Sequence, residues 1–294
     1  MRGAVISGAT GMVGVALTRL LLQRGFFVVL LIRKKSIIPG SIDIGKENLG
    51  IIDCSMEDYH GIYVKVPGVE FDSFFHLAWA GTFGDKRNDA RLQEENVSYM
   101  LDAMDLAKRT GCRRFVGLGS QAEYGPRDSL IREEDSVSPS TGYGLAKYQA
   151  GRLGKLYARQ IGIEFCWGRL FSAYGPFGNM DSVLNYVASC LKEGKSPKLG
   201  ACEQIWDFIH VDDVADALLL IAEKGRNGET YNIASGDQRK LKEFIEVLRR
   251  RINPSIQVSY DQDKGSDVNL IASTRKLKED TGFVCQCGFE DYQP

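Results

Sequence analysis

Tyr143 and Lys147 stand four positions apart in the chain, and this pair of side chains could carry out proton transfer. Residues with that spacing lie on the same face of a helix. The Lys147 ammonium would then lower the pKa of the Tyr143 phenol from its reference value of about 10 towards neutral pH. Such a tyrosine can give or take a proton at a sugar hydroxyl or ketone while a nicotinamide moves a hydride. The spacing alone is common on exposed helices, so its meaning depends on a nucleotide-binding segment elsewhere.

Glycines at positions 8, 11 and 14 form such a segment. An apolar run at 4–7 predicts a strand before them, and an amphipathic run at 12–23 predicts a helix after them. Glycine permits a turn with positive φ, lets backbone N–H groups approach a pyrophosphate and lets a helix pack closely on a strand. The helix N-terminus then binds the anion. We therefore predict a dinucleotide site whose contacts in this segment are Gly8, Thr10, Gly11, Met12, Val13 and Gly14.

The residues after the second predicted strand indicate which dinucleotide is bound. The apolar run at 26–32 leads into Arg33, Lys34, Lys35 and Ser36, with no acidic residue among them. An acid at this place binds the ribose 2′-hydroxyl of NAD, whereas Arg or Lys binds the 2′-phosphate of NADP. We therefore favour NADP(H) over NAD(H), with Arg33 as the main phosphate contact and Lys34 beside it. The alternative is a solvated run of charge at a strand end.

Short apolar runs alternate with helical stretches through the first half of the chain, which is typical of βαβ units. The predicted fold is α/β, a Rossmann-type doubly wound parallel sheet with a smaller C-terminal substrate lobe. We assign residues 1–173 and 204–235 to an NADP-binding Rossmann domain, and 174–203 and 236–294 to a substrate-binding lobe. Strands are predicted at 4–7, 26–32, 49–53, 73–77, 115–118 and 163–170. Helices are predicted at 12–23, 91–108, 141–160, 182–193 and 241–252, and the segment 206–213 leads into a further helix that ends at 222.

Composition argues against several other classes of protein. The 37 basic and 38 acidic residues nearly cancel, which indicates neither a nucleic-acid nor a membrane partner. No apolar run approaches the ~20 residues that span a bilayer, and no signal peptide fits before the first strand, so a cytoplasmic location is expected. The seven cysteines are expected to be free thiols. The three histidines, at 60, 76 and 210, are far apart, so no metal site is predicted.

Seven motifs follow one another along the chain, at 8–14, 76–79, 96–97, 120–125, 143–147, 169–176 and 207–213. Together they resemble the extended short-chain dehydrogenase/reductase family, specifically its nucleotide-sugar epimerases, dehydratases and 4-ketoreductases. The resemblance runs from Gly3 to about Asp280. It implies a nucleotide-sugar substrate and a homodimer.

The resemblance also implies roles for individual residues. Tyr143 would be the catalytic acid/base, Lys147 would bind the nicotinamide ribose, and Ser120 would hydrogen-bond the reacting sugar oxygen. Asp53 would meet the adenine amino group, and Asn96 would anchor the turn beneath the site or cap a helix. The other positions implied for the cofactor are Cys54, Leu77, Ala78, Trp79 and Leu170. The positions implied for the substrate are Trp79, Gln121, Ser172, Asn179, Trp206 and Lys264.

Departures from the family pattern bear on the reaction. Sugar 4,6-dehydratases carry Asp-Glu directly after the Ser or Thr, but Gln121 and Ala122 follow Ser120 here, and neither can transfer a proton. Glu123 stands one place too late and is expected to face elsewhere. Epimerases and 4-ketoreductases both need only Ser, Tyr, Lys and a nicotinamide.

Three features favour reduction: the basic end of the second strand, the short chain, and Trp206 where epimerases usually carry an arginine for the nucleotide diphosphate. The second usual arginine is also missing, and Lys264 is the nearest cation. Trp206 could stack on a base or sugar, or belong to the core. Our hypothesis is an NADPH-dependent 4-ketoreductase of a nucleotide-linked 4-keto-6-deoxysugar. A 4-epimerase and a non-catalytic NADP-binding protein remain as alternatives.

Overall fold

The computed structural model describes residues 1–34, 36–178, 182–264 and 268–293. Its largest element is a sheet of seven parallel strands in the order β10-β6-β5-β4-β1-β2-β3. Strand order reverses direction between β1 and β4, as in a doubly wound sheet, so the predicted fold class is confirmed. In chain order the strands are β1 (Arg2–Ser7), β2 (Phe27–Ile32), β3 (Leu49–Asp53), β4 (Glu70–His76), β5 (Arg114–Ser120), β6 (Glu164–Leu170), β7 (Ser172–Tyr174), β8 (Lys198–Gly200), β9 (Ile205–His210), β10 (Thr230–Ile233), β11 (Gln238–Lys240) and β12 (Ser259–Asp261).

Helices cover both faces of the main sheet. Seven α-helices are present among the described residues: α1 (Met12–Gln23), α2 (Ala90–Thr110), α3 (Gly142–Ile161), α4 (Val183–Lys192), α5 (Val211–Lys224), α6 (Leu241–Ile252) and α7 (Arg275–Thr281). Apolar side chains of α1, α5 and α7 form one buried core with the sheet, and those of α2 and α3 form a second core on its opposite face. Burial on both faces explains why the central strands are continuous apolar runs. Within the described ranges, no helix has the length and apolar character needed to cross a membrane.

Strand β5 runs two residues further than the apolar pattern predicts, and this extension positions the site. Gly117 and Gly119 interrupt the pattern, but both pair with β6 in register up to Ser120. A Cβ at Gly117 would lie 2.3 Å from the indole ring of Trp167. The glycines therefore make room for a large side chain on the neighbouring strand, which is a recurring use of glycine inside sheets.

Strands that follow β6 also form two smaller sheets. Strands β7, β9 and β11 form a three-stranded sheet, and β8 pairs with β12. Most of these strands have only three residues, too few for an alternating pattern to show in the sequence. Helices α4 and α6 share an apolar core with β9 and with Phe289 and Tyr292 near the C-terminus. Helix α5, directly after β9, instead joins the core under the main sheet.

Candidate active site

Ser120, Tyr143 and Lys147 lie together at the carboxyl edge of the main sheet, where doubly wound folds bind ligands. Ser120 ends β5, and the other two lie in the first two turns of α3. The Ser120 hydroxyl is close enough to the Tyr143 phenol to act on its pKa in the lowering direction. All three side chains line one cleft of about 520 Å³. The structure thus assembles the three candidate catalytic residues from two separate elements.

Gly144 allows this close approach of α3 to the end of β5. A Cβ at Gly144 would lie 2.4 Å from the carbonyl oxygen of Ala122. The helix begins there because the Thr141 hydroxyl accepts a hydrogen bond from the Gly144 N–H at 3.0 Å, as an N-cap does. At the end of β5, the Ser120 hydroxyl accepts a hydrogen bond from the Ala122 N–H at 3.2 Å. The backbone on both sides therefore determines where the Tyr143 phenol and the Ser120 hydroxyl meet.

Lys147 is buried and its ammonium points away from bulk water. Its Nζ donates to the Leu118 carbonyl oxygen at 2.5 Å and lies 3.8 Å from the centre of the Trp79 ring. Burial lowers the pKa of Lys147 from 10.5 to about 7, although the Glu123 carboxylate acts in the opposite direction. A lysine with such a pKa can exchange its proton near neutral pH.

The pKa of Tyr143 is raised, which corrects the expectation that Lys147 lowers it. Burial is the largest cause, and the Glu123 carboxylate adds to it. The Ser120 hydroxyl and the positive charge of Arg87 act in the lowering direction but are outweighed. The Lys147 Nζ donates to the Leu118 carbonyl oxygen and lies 5.9 Å from the Tyr143 ring centre.

Glu123 faces the protein interior, as expected from its position in the motif. Its carboxylate accepts hydrogen bonds from the Ser120 N–H and the Trp167 Nε1–H, each at 2.9 Å. Its second oxygen binds the Nε of Arg169 at 2.7 Å. The side chain is fully buried. Glu123 therefore holds the end of β5 and is not available to a substrate in the cleft.

The glycine turn between β1 and α1 has the shape that a pyrophosphate requires. Gly8 has a φ of +75°, and a Cβ there would lie 2.6 Å from the backbone nitrogen of Ala78. A Cβ at Gly14 would lie 2.3 Å from the Gly8 carbonyl oxygen. A Cβ at Gly11 would meet only that same oxygen, at an ordinary 3.5 Å. Packing within the chain thus requires glycine at 8 and 14, whereas the open side of Gly11 leaves space for a ligand.

The N-terminus of α1 leaves its first backbone N–H groups without a side-chain cap, and its first turn carries no acidic residue. Unpaired N–H groups and the helix dipole together favour an anion at this place. Among the candidate residues here, Met12 also lines the cleft. Thr10 and Val13 are partly exposed beside it. The turn therefore fits the phosphates of a dinucleotide.

A second concavity, of about 680 Å³, lies at the carboxyl ends of β2 and β3. Arg33 and Lys34 line it on the β2 side, and Asp53 and Cys54 on the β3 side. The two strand ends are joined because the Cys54 N–H donates to the Ile32 carbonyl oxygen at 2.9 Å. Burial raises the pKa of Cys54 to about 11, so this residue is a neutral thiol. The concavity, which Asp58 also lines, places two cations and two carboxylates at the predicted adenosine end.

The segment after β4 connects these two regions. Leu77 and Trp79 line the cleft, and the backbone of Ala78 packs against Gly8. Asn96, from α2, accepts a hydrogen bond from the Ala80 N–H at 2.8 Å and donates to the Ala80 carbonyl at 3.0 Å. Its assignment as a cofactor contact is corrected: Asn96 is buried and anchors the turn through Ala80.

Asp89 is the N-cap of α2, because its carboxylate accepts a hydrogen bond from the Leu92 N–H at 3.2 Å. The alternative role of Asn96 as a helix cap is therefore also excluded.

Candidate substrate residues fall into three groups. Gln121, Ser172 and Trp206 line the cleft, as do Trp79 and Leu170. Asn179 lies outside the described residues. Lys264 is not among the residues that line the cleft; its Nζ pairs with Asp261 at 3.0 Å and its side chain is 80% exposed, which corrects its assignment.

Trp206 is both a core residue and a wall of the cleft. Its ring stacks on Phe208, with 6.0 Å between ring centres and an interplanar angle of 22°. Its Nε1–H donates to the Ser172 hydroxyl at 2.5 Å. The tryptophan therefore presents a fixed aromatic edge, without positive charge, where the family usually has an arginine.

Sequence reasoning missed several residues of the cleft. Arg87, from a one-turn helix at Asp85–Asn88, is the most important, since Arg87 and Lys147 are the cations among the described lining residues. Tyr292 also lines it, although it is far from the motifs in sequence. No local pattern indicates either residue. The other missed positions are Thr82, Phe83, Leu118, Gly119, Phe171, Ala173, Tyr174, Gly175, Gly178, Ser182, Val183, Leu184, Asn185 and Phe208.

Comparison with known families and proteins extends these observations. A family model described as "NAD dependent epimerase/dehydratase family" matches residues 4–234. The dTDP-glucose 4,6-dehydratase of Escherichia coli is 29% identical over 224 residues, which cover 68% of this chain and 61% of that protein. The chain thus matches about three fifths of the length of that relative.

A second relative matches almost end to end. The CDP-abequose synthase of Salmonella typhimurium (strain LT2) is 28% identical over 293 residues, covering 93% of this chain and 90% of that protein. Among solved structures, a UDP-N-acetylglucosamine 4-epimerase from Methanobrevibacter ruminantium M1, in complex with UDP-N-acetylmuramic acid, superposes with a TM-score of 0.85. That structure is 24% identical and the match covers 98% of this chain and 93% of the other. This likeness shows the shared fold.

Proposed function

This chain belongs to the NAD dependent epimerase/dehydratase family, and we propose that it is an NADPH-dependent 4-ketoreductase of a nucleotide-linked 4-keto-6-deoxysugar. The observation that carries the proposal is the absence of any Asp or Glu from the described residues that line the cleft. Elimination of water across a sugar needs carboxyl groups to move protons. Glu123 is the acidic residue nearest to Ser120 in sequence, but its carboxylate is buried against Arg169. Reduction needs only one proton donor, and Tyr143 can be that donor.

Tyr143, Ser120 and Lys147 share the work in the proposed reaction. When bound, the nicotinamide supplies the hydride that is added to C4 of the ketosugar. Tyr143 gives its hydroxyl proton to the ketone oxygen and becomes a phenolate. Ser120, which lines the same cleft as Tyr143, orients that oxygen. Lys147 holds the nicotinamide ribose, beside the aromatic face of Trp79.

The preference for NADPH rests on the concavity at the ends of β2 and β3. Arg33 and Lys34 both line it and both are exposed, so their charges are available to a 2′-phosphate. Asp53 and Asp58 line the same concavity, and the family as a whole is described as NAD dependent. The proposed test therefore compares NADPH with NADH directly.

A nucleotide-linked sugar is supported by the relative that matches almost end to end, whose name is CDP-abequose synthase. In this chain the aromatic residues Trp206, Phe208 and Tyr292 line the cleft. Such a wall can accept the apolar face of a deoxysugar or a base.

The test is to incubate the enzyme with NADPH or NADH and a panel of nucleotide-linked 4-keto-6-deoxysugars. We expect one ketosugar to oxidise NADPH stoichiometrically, with the reduced C4 identified by NMR. The 4-epimerase uses the same three residues and is the second candidate. It would be indicated by inversion of a 4-hydroxyl sugar without net change of cofactor, together with no turnover of any ketosugar.

Tyr143→Phe separates both enzymes from a non-catalytic NADP-binding protein. Loss of turnover with retained cofactor affinity supports an enzyme; an unchanged cellular phenotype with unchanged cofactor affinity supports the binding protein. The division into 1–173 with 204–235 and 174–203 with 236–294, the homodimer and the cytoplasmic location are also part of the proposal. Light scattering of the purified protein tests the homodimer.

A further inference from the structure

The Asp213 carboxylate, in the first turn of α5, is buried and binds a segment that comes much later in the chain. Its Oδ1 accepts a hydrogen bond from the Gln286 N–H at 2.9 Å, and its Oδ2 accepts one from the Cys287 N–H at 3.0 Å. The Cys285 thiol also donates to Oδ2, at 3.0 Å. Burial raises the pKa of Cys285 to about 12, so this group stays a thiol and keeps the proton that it donates. Asp213 therefore fixes the beginning of the segment 285–292.

The middle of the 285–292 segment is held by two further contacts. Phe289 is buried in the core that α4, α6 and β9 share. The next residue, Glu290, forms an ion pair with Arg239 of β11. A single helical turn that contains both residues then leads to Tyr292. The position of Tyr292 is therefore set by contacts made earlier in its own segment.

Tyr292 brings a polar group to the cleft. Its ring packs against that of Tyr174, with 4.8 Å between ring centres and an interplanar angle of 74°, and both residues line the cleft. The hydroxyl of a buried tyrosine usually has a hydrogen-bond partner. The Tyr292 hydroxyl has none among the described residues, and its oxygen is accessible and not enclosed by protein. This hydroxyl is therefore available to a ligand in the cleft.

The surroundings of Tyr292 favour the substrate over the cofactor as that ligand. The features that fit a dinucleotide, the glycine turn and the concavity lined by Arg33, belong to the main sheet. Tyr292 packs instead in the core of α4, α6 and β9, from which Trp206 also reaches the cleft. Both side chains are uncharged. A neutral hydroxyl suits a sugar, because hydroxyl groups can both donate and accept hydrogen bonds.

We propose that the Tyr292 hydroxyl hydrogen-bonds the nucleotide-linked sugar in the cleft, and that Asp213 positions Tyr292 through the 285–292 segment. Tyr292 is then a substrate-binding residue, and Asp213 is a positioning residue. This inference rests on the proposed function, since it takes a nucleotide-linked ketosugar as the ligand, but it is tested by binding and needs no turnover.

The test measures, by calorimetry, the Kd of 4-keto-6-deoxyglucose linked to CDP, UDP or dTDP. The protein is saturated with NADP⁺ or NAD⁺, whichever binds more tightly, so that no hydride is available to the ketone. Tyr292→Phe removes only the hydroxyl, and we expect it to raise the Kd of the best-bound ketosugar by about 3- to 10-fold. The Kd of the oxidised cofactor should stay unchanged. Tyr260→Phe is the matched control and should change neither value, because Tyr260 belongs to the same core but does not line the cleft.

Asp213→Asn tests the positioning role. An amide accepts fewer of the hydrogen bonds from the segment, so the Kd of the ketosugar should rise. In the Tyr292→Phe background the same substitution should add little, because both residues act through one contact. Cys285→Ala removes only the thiol donor and is a milder second variant, for which a smaller rise is expected. Circular dichroism checks that each variant is folded.

The outcomes separate this inference from the proposed function. If a ketosugar binds the wild type and Tyr292→Phe equally well, the role of Tyr292 is wrong and the proposed function stands. An equal rise in the Kd of the cofactor would assign Tyr292 to the cofactor instead. Full additivity of Asp213→Asn and Tyr292→Phe would remove the positioning role of Asp213. If the wild type binds no ketosugar, the proposed function fails and this inference fails with it.

Discussion

The Glu123 carboxylate and the Arg169 guanidinium form a buried ion pair, with 2.7 Å between Oε2 and Nε. The remaining carboxylate oxygen of Glu123 accepts from the Ser120 N–H. Strand β6 is thereby joined to the end of β5 at the residue proposed to orient the substrate. Glu123, three positions after Ser120 in sequence, thus stabilises the cleft from the protein interior.

Removal of the charge on Glu123 should destabilise the fold. Glu123→Gln leaves the Arg169 guanidinium buried without its partner, which typically costs about 3–5 kcal/mol. Chemical unfolding, followed by circular dichroism, measures the change. Asp261→Asn breaks the exposed pair with Lys264 and serves as the control, with an unfolding midpoint close to that of the wild type. Equal losses of unfolding free energy in the two variants would show that burial of the Glu123–Arg169 pair does not increase its contribution to stability.

Lys147 should reduce the stability of the cofactor-free protein while serving its activity. Burial holds its folded-state pKa at about 7, below its usual 10.5. Between these values the unfolded chain binds more protons than the folded chain, so the wild-type free energy of unfolding rises with pH across that window. Lys147→Met removes the buried amine and the free-energy cost of its depressed pKa. The variant should therefore be more stable than the wild type at pH 7, by at most about 5 kcal/mol.

The pH dependence distinguishes this effect from better packing. The gain in Lys147→Met over the wild type should shrink as the pH rises from about 7 towards 10.5. Urea unfolding at several pH values measures it. A gain that stays constant across this range would mean that the ionisation of Lys147 is not responsible.

Arg33 should set the preference for the phosphorylated cofactor. Arg33→Gln removes a charge-assisted contact to the 2′-phosphate, so we expect the Kd of NADPH to rise by about 10- to 100-fold. The Kd of NADH should hardly change, because NADH has no such phosphate. Arg24→Gln, at the opposite end of α1 from the glycine turn, is the control. Calorimetry that finds NADH bound more tightly than NADPH by the wild type would contradict the NADPH assignment.

Gly144 should be needed for the geometry of Tyr143. Gly144→Ala brings a Cβ to within 2.4 Å of the Ala122 carbonyl oxygen, so the first turn of α3 must move away from Ser120. A displacement of this kind typically lowers turnover by about 100-fold. The kcat for the ketosugar, measured with saturating NADPH, reports it. Gly61→Ala, where an added Cβ meets nothing within 4 Å, should keep the wild-type rate; a normal kcat in Gly144→Ala would show that the close approach is dispensable.

The residues of the predicted site divide according to the range of the interactions that place them. Gly8, Gly11 and Gly14 were recognisable because a strand, a turn and a helix follow one another within one short segment, and such local patterns survive in sequence. The same holds for Tyr143 and Lys147, whose shared helix face follows from their spacing. The alternation of apolar runs and helices was sufficient for the fold class.

Local sequence by itself therefore determined the fold class and the glycine turn, and it singled out the tyrosine and lysine that could do chemistry, whereas Ser120 was added by the family resemblance. Tertiary structure decided their electrostatics, because charge and burial depend on segments far apart in the chain. Packing placed the Lys147 Nζ 3.8 Å from the centre of the Trp79 ring, and the segment before α2 brought Arg87 to the Tyr143 ring. Pairing with Arg169 turned Glu123 inward, and Lys264 was left on the surface with Asp261. Spacing along a chain specifies neighbours on one helix or strand, whereas the direction of a charged side chain is set by partners that only the folded chain brings together.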